Sequence, residues 1–305
     1  MTTYQTPELV AARRRLGGPV VIGVDPSRSS SSALQWAAAE ASRSASTLRL
    51  VTALSPSLRL PSLAQQLDRK LLATAQALGV EQGTCVVAEG SPGWVVIEQA
   101  QDAALVVVGR RPFGPTEHLL SGHTSLEVAA SSPAPVVVVP EMQFQPGPGR
   151  SPVTVLIEPW VPSFGAFPLD DPARHVLGFA FERASLAGVA LVVVSVHESA
   201  PAHQGSPDAG ESAGRCVGAL VDRLAGWRRL WPDVEVVLRE DAAPPPESIR
   251  IMLAAASRSQ LVILGRHSAS QRAASRLGSS ARQVVRQSSR PVAVVPVGPL
   301  DPVEG

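Results

Sequence analysis

The chain has 305 residues, of which 45% are hydrophobic and 17% are charged, and its formal net charge is +1 at pH 7. That length accommodates two domains of about 150 residues, each with its own hydrophobic core. A net charge so close to zero excludes a global electrostatic field that would recruit nucleic acid or a membrane surface. No apolar run in the sequence approaches the roughly 20 residues that a membrane-spanning helix needs.

The cysteines and the N-terminal residues both favour a reducing compartment. Cys85 and Cys216 lie far apart in the sequence and form neither a metal-binding nor a redox motif. The arginines at 13–15 are followed by only a few apolar residues before Asp25, so the apolar region of a signal peptide is missing. We therefore expect a cytoplasmic protein.

Apolar runs alternate with helical patterns along the first half of the chain, after a leader at residues 1–18. Strands are predicted at Val20–Val24, Leu48–Leu54, Val86–Ala88, Leu105–Val108 and Val136–Val139. Helices are predicted over Ala33–Arg43, from Leu63 to Leu78, and after Ser91-Pro92. Any serine from Ser29 to Ser32 is suited to cap the first of these helices, and the Ser91 hydroxyl to cap the third. Gly79 is expected to end the second.

The second half repeats this alternation after a linker at residues 145–150, where prolines stand between glycines. Strands are predicted at Val153–Ile157, Leu191–Val196, Val234–Leu238, Leu261–Leu264 and Val292–Val295. Helices are predicted over Val176–Ala184, over Val217–Trp231, before Gly265 and again after Gly278. Strands that alternate with helices indicate right-handed crossovers and a parallel sheet covered on both faces.

One stretch of the second half favours an anionic ligand. The strand Leu261–Leu264 stops at Gly265, a polar loop follows, and Gly278-Ser279-Ser280 opens a short helix. The start of a helix combines free backbone N–H groups with the positive end of a dipole, which suits a phosphate.

The same spacing occurs in both halves. Gly122 lies thirteen residues after Gly109, and Gly278 lies thirteen residues after Gly265. A proline follows each first glycine at a distance of 31 residues, at the end of the runs VVVVP and VAVVP. Shared spacing over this length indicates an internal duplication.

The spacing Gly265, Ser268, Gly278, Ser279 resembles the nucleotide loop G-x2-G-x9-G-[ST] of the universal stress protein family, including the strand VAVVP after it. The stretch WRRLWPDVEV also resembles second repeats of actinobacterial tandem members. The resemblance implies an α/β fold of two tandem Rossmann-like domains at 19–144 and 151–298. Each domain is then a five-stranded parallel sheet of order 3-2-1-4-5 with helices on both faces.

The resemblance also implies a site for an adenine nucleotide, ATP with or without Mg²⁺. In the family, the aspartate that ends strand one faces the adenosine, a role that falls here to Asp25 and Glu158. The glycine loop wraps the phosphates, which assigns Gly109, Arg110, Gly122, His123 and Thr124 in the first half and Gly265, Arg266, Ser268, Gly278, Ser279 and Ser280 in the second. The alternative is that these glycines only turn the chain and that the serines only cap a helix.

The two halves depart from the family pattern to different degrees. Ser268 replaces a glycine in the second half, whereas in the first half Pro112 lacks an N–H group and His123 replaces a hydroxyl residue. From Ser248 to Leu300 the sequence has no acidic residue and eight arginines. If only one half binds a nucleotide, we therefore expect it to be the second.

Other chemistries are disfavoured. Neither glycine loop contains the lysine of a Walker motif, the six histidines are scattered, and no nucleophile–base arrangement is evident. Arg282, Arg286 and Arg290 form a helical stripe, which we interpret as a solvated face or a subunit contact. Nucleic-acid binding is disfavoured because no aromatic residues interleave with the stripe.

Two functional hypotheses follow from the resemblance. The first is an ATP-binding stress-response regulator with, at most, slow ATP hydrolysis, because no residue is assigned to activate a water molecule. The second is a degenerate scaffold that binds no nucleotide and acts through protein–protein contacts. The partners implied are an adenine nucleotide, the two domains as an intramolecular pseudo-dimer, and a second copy in a homodimer.

Overall fold

The computed structural model describes residues 17–54, 61–111, 123–141, 151–157, 172–197, 220–221, 224–244, 246–266 and 277–296. The chain divides into two compact units, one with the first five strands and the other with the last five. Among the described helices, none has both the length and the apolar character needed to cross a membrane.

The first unit contains a parallel sheet of order β3-β2-β1-β4-β5. Its strands are β1 Val20–Gly23, β2 Leu48–Leu54, β3 Gly83–Glu89, β4 Leu105–Arg110 and β5 Val136–Pro140. Within β1, Gly23 pairs with Val51 of β2 on one side and Val108 of β4 on the other. The order that the family resemblance implied is thus confirmed.

Four helices of the first unit are described. They are α1 Arg28–Arg43, α2 Pro61–Ala77, α3 Pro92–Glu98 and α4 His123–Ser131. Helices α3 and α4 pack against each other and therefore share one face of the sheet; right-handed crossovers put α1 and α2 on the other. Gly79, with φ +82°, follows the end of α2 as predicted.

Two of the predicted helix caps are wrong. The cap of α1 is Ser27, whose hydroxyl accepts the N–H of Ser30, because the helix begins at Arg28 and the predicted serines already lie inside it. Ser91 does occupy the N-cap position of α3, but its side chain makes no capping hydrogen bond there.

The second unit has the same topology, with a parallel sheet of order β8-β7-β6-β9-β10. Its strands are β6 Val153–Ile157, β7 Leu191–His197, β8 Val236–Ala242, β9 Leu261–Arg266 and β10 Val292–Pro296. The helices are α5 Pro172–Ala187, α6 Glu247–Ser257 and α7 Ser279–Gln287, and residues 224–230 are also helical. The core is aromatic in part, since the fully buried Phe181 stacks on Trp227 with ring centroids 5.8 Å apart.

The two units also share a local hydrogen-bond pattern. The Ser132 hydroxyl donates to the carbonyl of Ala134 at 2.9 Å and accepts its N–H at 3.2 Å. Ser288 makes the same pair of bonds to Arg290, at 2.9 and 3.1 Å. Ser288 lies 156 residues after Ser132, the same offset that separates the two glycine loops. The duplication in the sequence is therefore matched by equivalent hydrogen bonds in the two units.

Candidate functional site

The strand order of the first unit favours a ligand-binding crevice at the carboxyl ends of β1 and β4. The chain leaves β1 towards β2 on one side, and later crosses to β4 on the other side. Ligands of open parallel sheets bind in the crevice where neighbouring connections diverge in this way. Asp25 lies two residues beyond β1, and Gly109 and Arg110 are the last residues of β4, so all three lie at this point.

The carboxylate of Asp25 is held by two residues. Arg111 Nη2 donates to Oδ2 at 2.9 Å. The backbone N–H of Ser27 donates to Oδ1 at 3.0 Å, and the Ser27 hydroxyl donates to the same atom. Burial alone would raise the pKa of Asp25, but the hydrogen bonds from Ser27 and Arg111, with the charge of Arg111, lower it below 3.8. Asp25 is therefore a carboxylate at neutral pH.

Gly109 has a packing reason to be glycine. A Cβ built on Gly109 would lie 2.6 Å from the carbonyl oxygen of Ser29 and 3.0 Å from the nitrogen of Ser30, both in the first turn of α1. Any larger side chain would force β4 and α1 apart. The alternative offered by the sequence, a structural role, therefore has direct support at this position.

The next residue, Arg110, is half-buried at the end of β4. Burial lowers the pKa of its guanidinium. Partial removal from water disfavours the positive charge, so a nearby anion would stabilise it. Arg266 is the corresponding residue at the end of β9, and burial lowers its pKa in the same way. Each unit thus has a partly desolvated cation at the same place.

The start of α4 contains the other first-half residues assigned by resemblance. His123 and Thr124 are its first two residues, and Thr124 is exposed. Glu127 lies one turn later, where a Cβ on Gly93 would come within 2.2 Å of its Oε2. The Glu127 carboxylate is therefore next to the first turn of α3, whose positive dipole end favours it.

The second unit has a simpler arrangement at its carboxyl edge. Gly265 is buried near the end of β9, and Gly278 is the N-cap of α7 with φ −55°. Ser279 and Ser280 form the first turn of α7, where backbone N–H groups lack helical acceptors. Because α7 leads into β10, which is parallel to β9, its N-terminus lies at the same edge as the end of β9. A Cβ on Gly278 would meet no atom of the described residues within 4 Å.

Three of the assigned residues, Gly122, Glu158 and Ser268, lie outside the described residues. Sequence reasoning missed Ser27, which both caps α1 and binds Asp25. It also missed the ion pair between Arg111 and Asp25. The first had a signal, because an aspartate two residues before a serine favours an Asx turn.

These features define a tandem protein of the Rossmann-like α/β class, with a glycine near the end of the fourth strand of each unit. The model of the family described as "Universal stress protein family" matches residues 18–140 and 167–296. The chain belongs to the universal stress protein family.

The relatives match over most of the chain. A universal stress protein of Mycolicibacterium smegmatis is 30% identical over 298 residues, 90% of this chain and 96% of the relative. One of Mycobacterium tuberculosis strain H37Rv is 29% identical over 328 residues, 93% of this chain and 96% of the relative.

A solved structure shows the same fold. The crystal structure of a universal stress protein from Archaeoglobus fulgidus has a TM-score of 0.65 at 16% identity, and covers 92% of this chain and 98% of its own.

Proposed function

We propose that this protein binds an adenine nucleotide, ATP with or without Mg²⁺, and acts as a nucleotide-responsive stress regulator rather than as an enzyme. The observation that carries the proposal is the carboxyl edge of the second unit. There the half-buried Arg266 ends β9, and α7 begins at Gly278 and Ser279. A guanidinium and a helix N-terminus on one edge form a surface suited to phosphate.

Each residue type has a separate role in this proposal. The backbone N–H groups and hydroxyls of Ser279 and Ser280 donate to phosphate oxygens, and Arg266 neutralises the charge. Gly278 has no side chain to keep a phosphate away from the helix start. Glu158 and Ser268, and in the first half Gly122, remain assignments from the family pattern.

The scaffold hypothesis has more support in the first half of the chain than in the second. Gly109 has a packing role against Ser29, and the Asp25 carboxylate already accepts bonds from Ser27 and Arg111. A fold can keep such features without a ligand. Contacts between the two halves as a pseudo-dimer, or between two copies, would then carry the signal.

Mass spectrometry of the purified protein tests the proposal. Adenine nucleotide that is released on denaturation, with a matching absorbance at 260 nm, would support it. Calorimetry with ATP then measures the affinity and the number of sites. If the protein carries no nucleotide and gives no heat with millimolar ATP, nucleotide binding is wrong and the scaffold hypothesis is favoured.

A further inference from the structure

Both oxygens of the Asp25 carboxylate accept hydrogen bonds from the protein itself. Arg111 Nη2 donates to Oδ2 at 2.9 Å, and Ser27 donates to Oδ1 through its backbone N–H and its hydroxyl. A ligand hydroxyl that approaches Oδ2 therefore competes with the guanidinium of Arg111.

Arg111 is the partner that a ligand displaces most easily. Its side chain is 51% exposed and that of Asp25 is 49% exposed. An ion pair so open to water contributes little net free energy. Ser27, by contrast, is also the N-cap of α1, so its displacement would disturb the start of a helix as well.

A phosphate group makes this displacement favourable. A guanidinium binds phosphate through two parallel N–H donors, which is stronger than a single exposed bond to a carboxylate. Arg111 directly follows β4, whose last residues are assigned to the phosphates, while Asp25 is assigned to the adenosine. The two ion-pair partners thus belong to the parts of the site that hold the two parts of a nucleotide.

We propose that Arg111 is a specificity-determining residue, which makes the first half select phosphorylated nucleosides over unphosphorylated ones. A nucleotide offers Arg111 a phosphate as a new partner, and the released Oδ2 accepts a ribose hydroxyl. A nucleoside has to break the ion pair without this compensation. The inference rests on the proposed function, since it requires that the first half bind an adenine nucleotide.

The selection belongs to the first half alone. The residue at the matching position of the second half, 156 residues later, is His267 rather than an arginine. His267 lies outside the described residues. A Gly278→Asp background, which places a carboxylate at the second phosphate site, therefore isolates the first half for measurement.

The test is calorimetry with ATP and with adenosine, up to millimolar concentrations, on Gly278→Asp with and without Arg111→Gln. We expect Arg111→Gln to weaken ATP binding about ten-fold or more. Adenosine should bind about two- to five-fold more tightly, because no ion pair has to break. Arg49→Gln is the matched control, since that arginine pairs with Asp102 and should leave both affinities unchanged.

A second readout does not depend on the adenosine part. Tripolyphosphate added to the Gly278→Asp protein should raise the pKa of the Asp25 carboxyl, followed by carbon NMR, because Arg111 leaves it. The same addition to the Arg111→Gln variant should raise that pKa less, because the negative charge of the phosphate then acts without the departure of Arg111.

The outcomes separate the inference from the proposed function. If Gly278→Asp binds ATP but Arg111→Gln leaves adenosine binding unchanged or weaker, the inference is wrong while nucleotide binding stands. If Gly278→Asp binds neither ligand, nucleotide binding by the first half is wrong, and the inference is wrong with it.

Discussion

Gly109 lies against Ser29 so closely that a Cβ on the glycine would sit 2.6 Å from the serine carbonyl oxygen. The contact joins the end of β4 to the first turn of α1. Gly278, the second glycine of the other loop, has no comparable neighbour among the described residues. Packing against neighbouring backbone therefore constrains Gly109 but not Gly278, and the two glycines should respond differently to substitution.

Gly109→Ala should destabilise the protein by about 1–3 kcal/mol, because the added methyl group meets rigid backbone rather than a mobile side chain. Gly278→Ala is the control and should cost only about 0.5 kcal/mol, because the added methyl group meets no described residue and alanine is merely a poorer N-cap than glycine. Urea denaturation followed by circular dichroism measures both. Equal effects of the two substitutions would contradict the packing role of Gly109.

Nucleotide binding should depend more on the second half than on the first. Gly278→Asp puts a carboxylate at the start of α7, where it repels phosphate, and should abolish most of the heat of ATP binding. Gly122→Asp should leave most of it, because the first half has Pro112 and His123 in its loop. Loss of binding in Gly122→Asp with normal binding in Gly278→Asp would show that the halves are reversed.

The thiol of Cys85 should be unreactive in the folded protein. Burial, followed by the hydrogen bond with Asp68 and the charge of Asp68, raises its pKa to about 12. Since only the thiolate reacts, alkylation at pH 8 should be on the order of 100- to 1,000-fold slower than in the urea-unfolded chain.

A Cys216→Ser background keeps the measurement to one cysteine. Asp68→Asn in that background should speed the reaction, because the pKa of Cys85 falls when the negative charge is removed. Labelling of the folded protein at the unfolded rate would contradict the prediction.

The ion pair between Arg49 and Asp102 should stabilise the first unit modestly. Arg49 donates to both carboxylate oxygens, at 2.7 and 2.9 Å. Because the side chain of Asp102 is 62% exposed, Arg49→Met should cost no more than about 1 kcal/mol at pH 7. Arg250→Met, at an exposed pair with a distance of 3.4 Å, is the control and should cost less.

This cost should disappear in acid. The hydrogen bond from Arg49 is the main reason that the pKa of Asp102 lies below 3.8, although burial opposes it. A carboxyl with a lowered folded pKa stabilises the fold above its unfolded pKa, and the contribution is lost as pH falls through the folded value. The difference between wild type and Arg49→Met should therefore shrink below pH 3.8, and a pH-independent difference would contradict the ion pair.

The amino-acid sequence alone determined where most of the strands lie. The runs Leu48–Leu54 and Val153–Ile157 are strands with the predicted bounds, because parallel strands buried on both faces read as continuous apolar runs. The order followed from the family resemblance, and the duplication followed from the spacing of Gly109, Gly122, Gly265 and Gly278. The apolar runs and the glycine spacing are local or periodic signals that need no knowledge of contacts.

The tertiary structure decided where individual elements begin and end. The strand predicted at Val234–Leu238 is instead β8, Val236–Ala242, which includes the charged Glu240 and Asp241. Its ladder with β7 pairs Leu191 with Val236 and His197 with Ala242. The backbone pairing therefore overrides the hydrophobicity that placed the strand two residues earlier.

The chemistry of the candidate site depended on the tertiary structure most of all. Asp25 and Arg111 are 86 residues apart in the sequence, and their ion pair exists because β1 and β4 are neighbours in the sheet. Sequence reasoning assigned Asp25 to the ligand site but made no assignment for Arg111, and it could not give the 2.9 Å distance between their side chains. Side chains that are distant in the sequence pair only because the sheet places their strands side by side. The local pattern of one segment gives no information about the other.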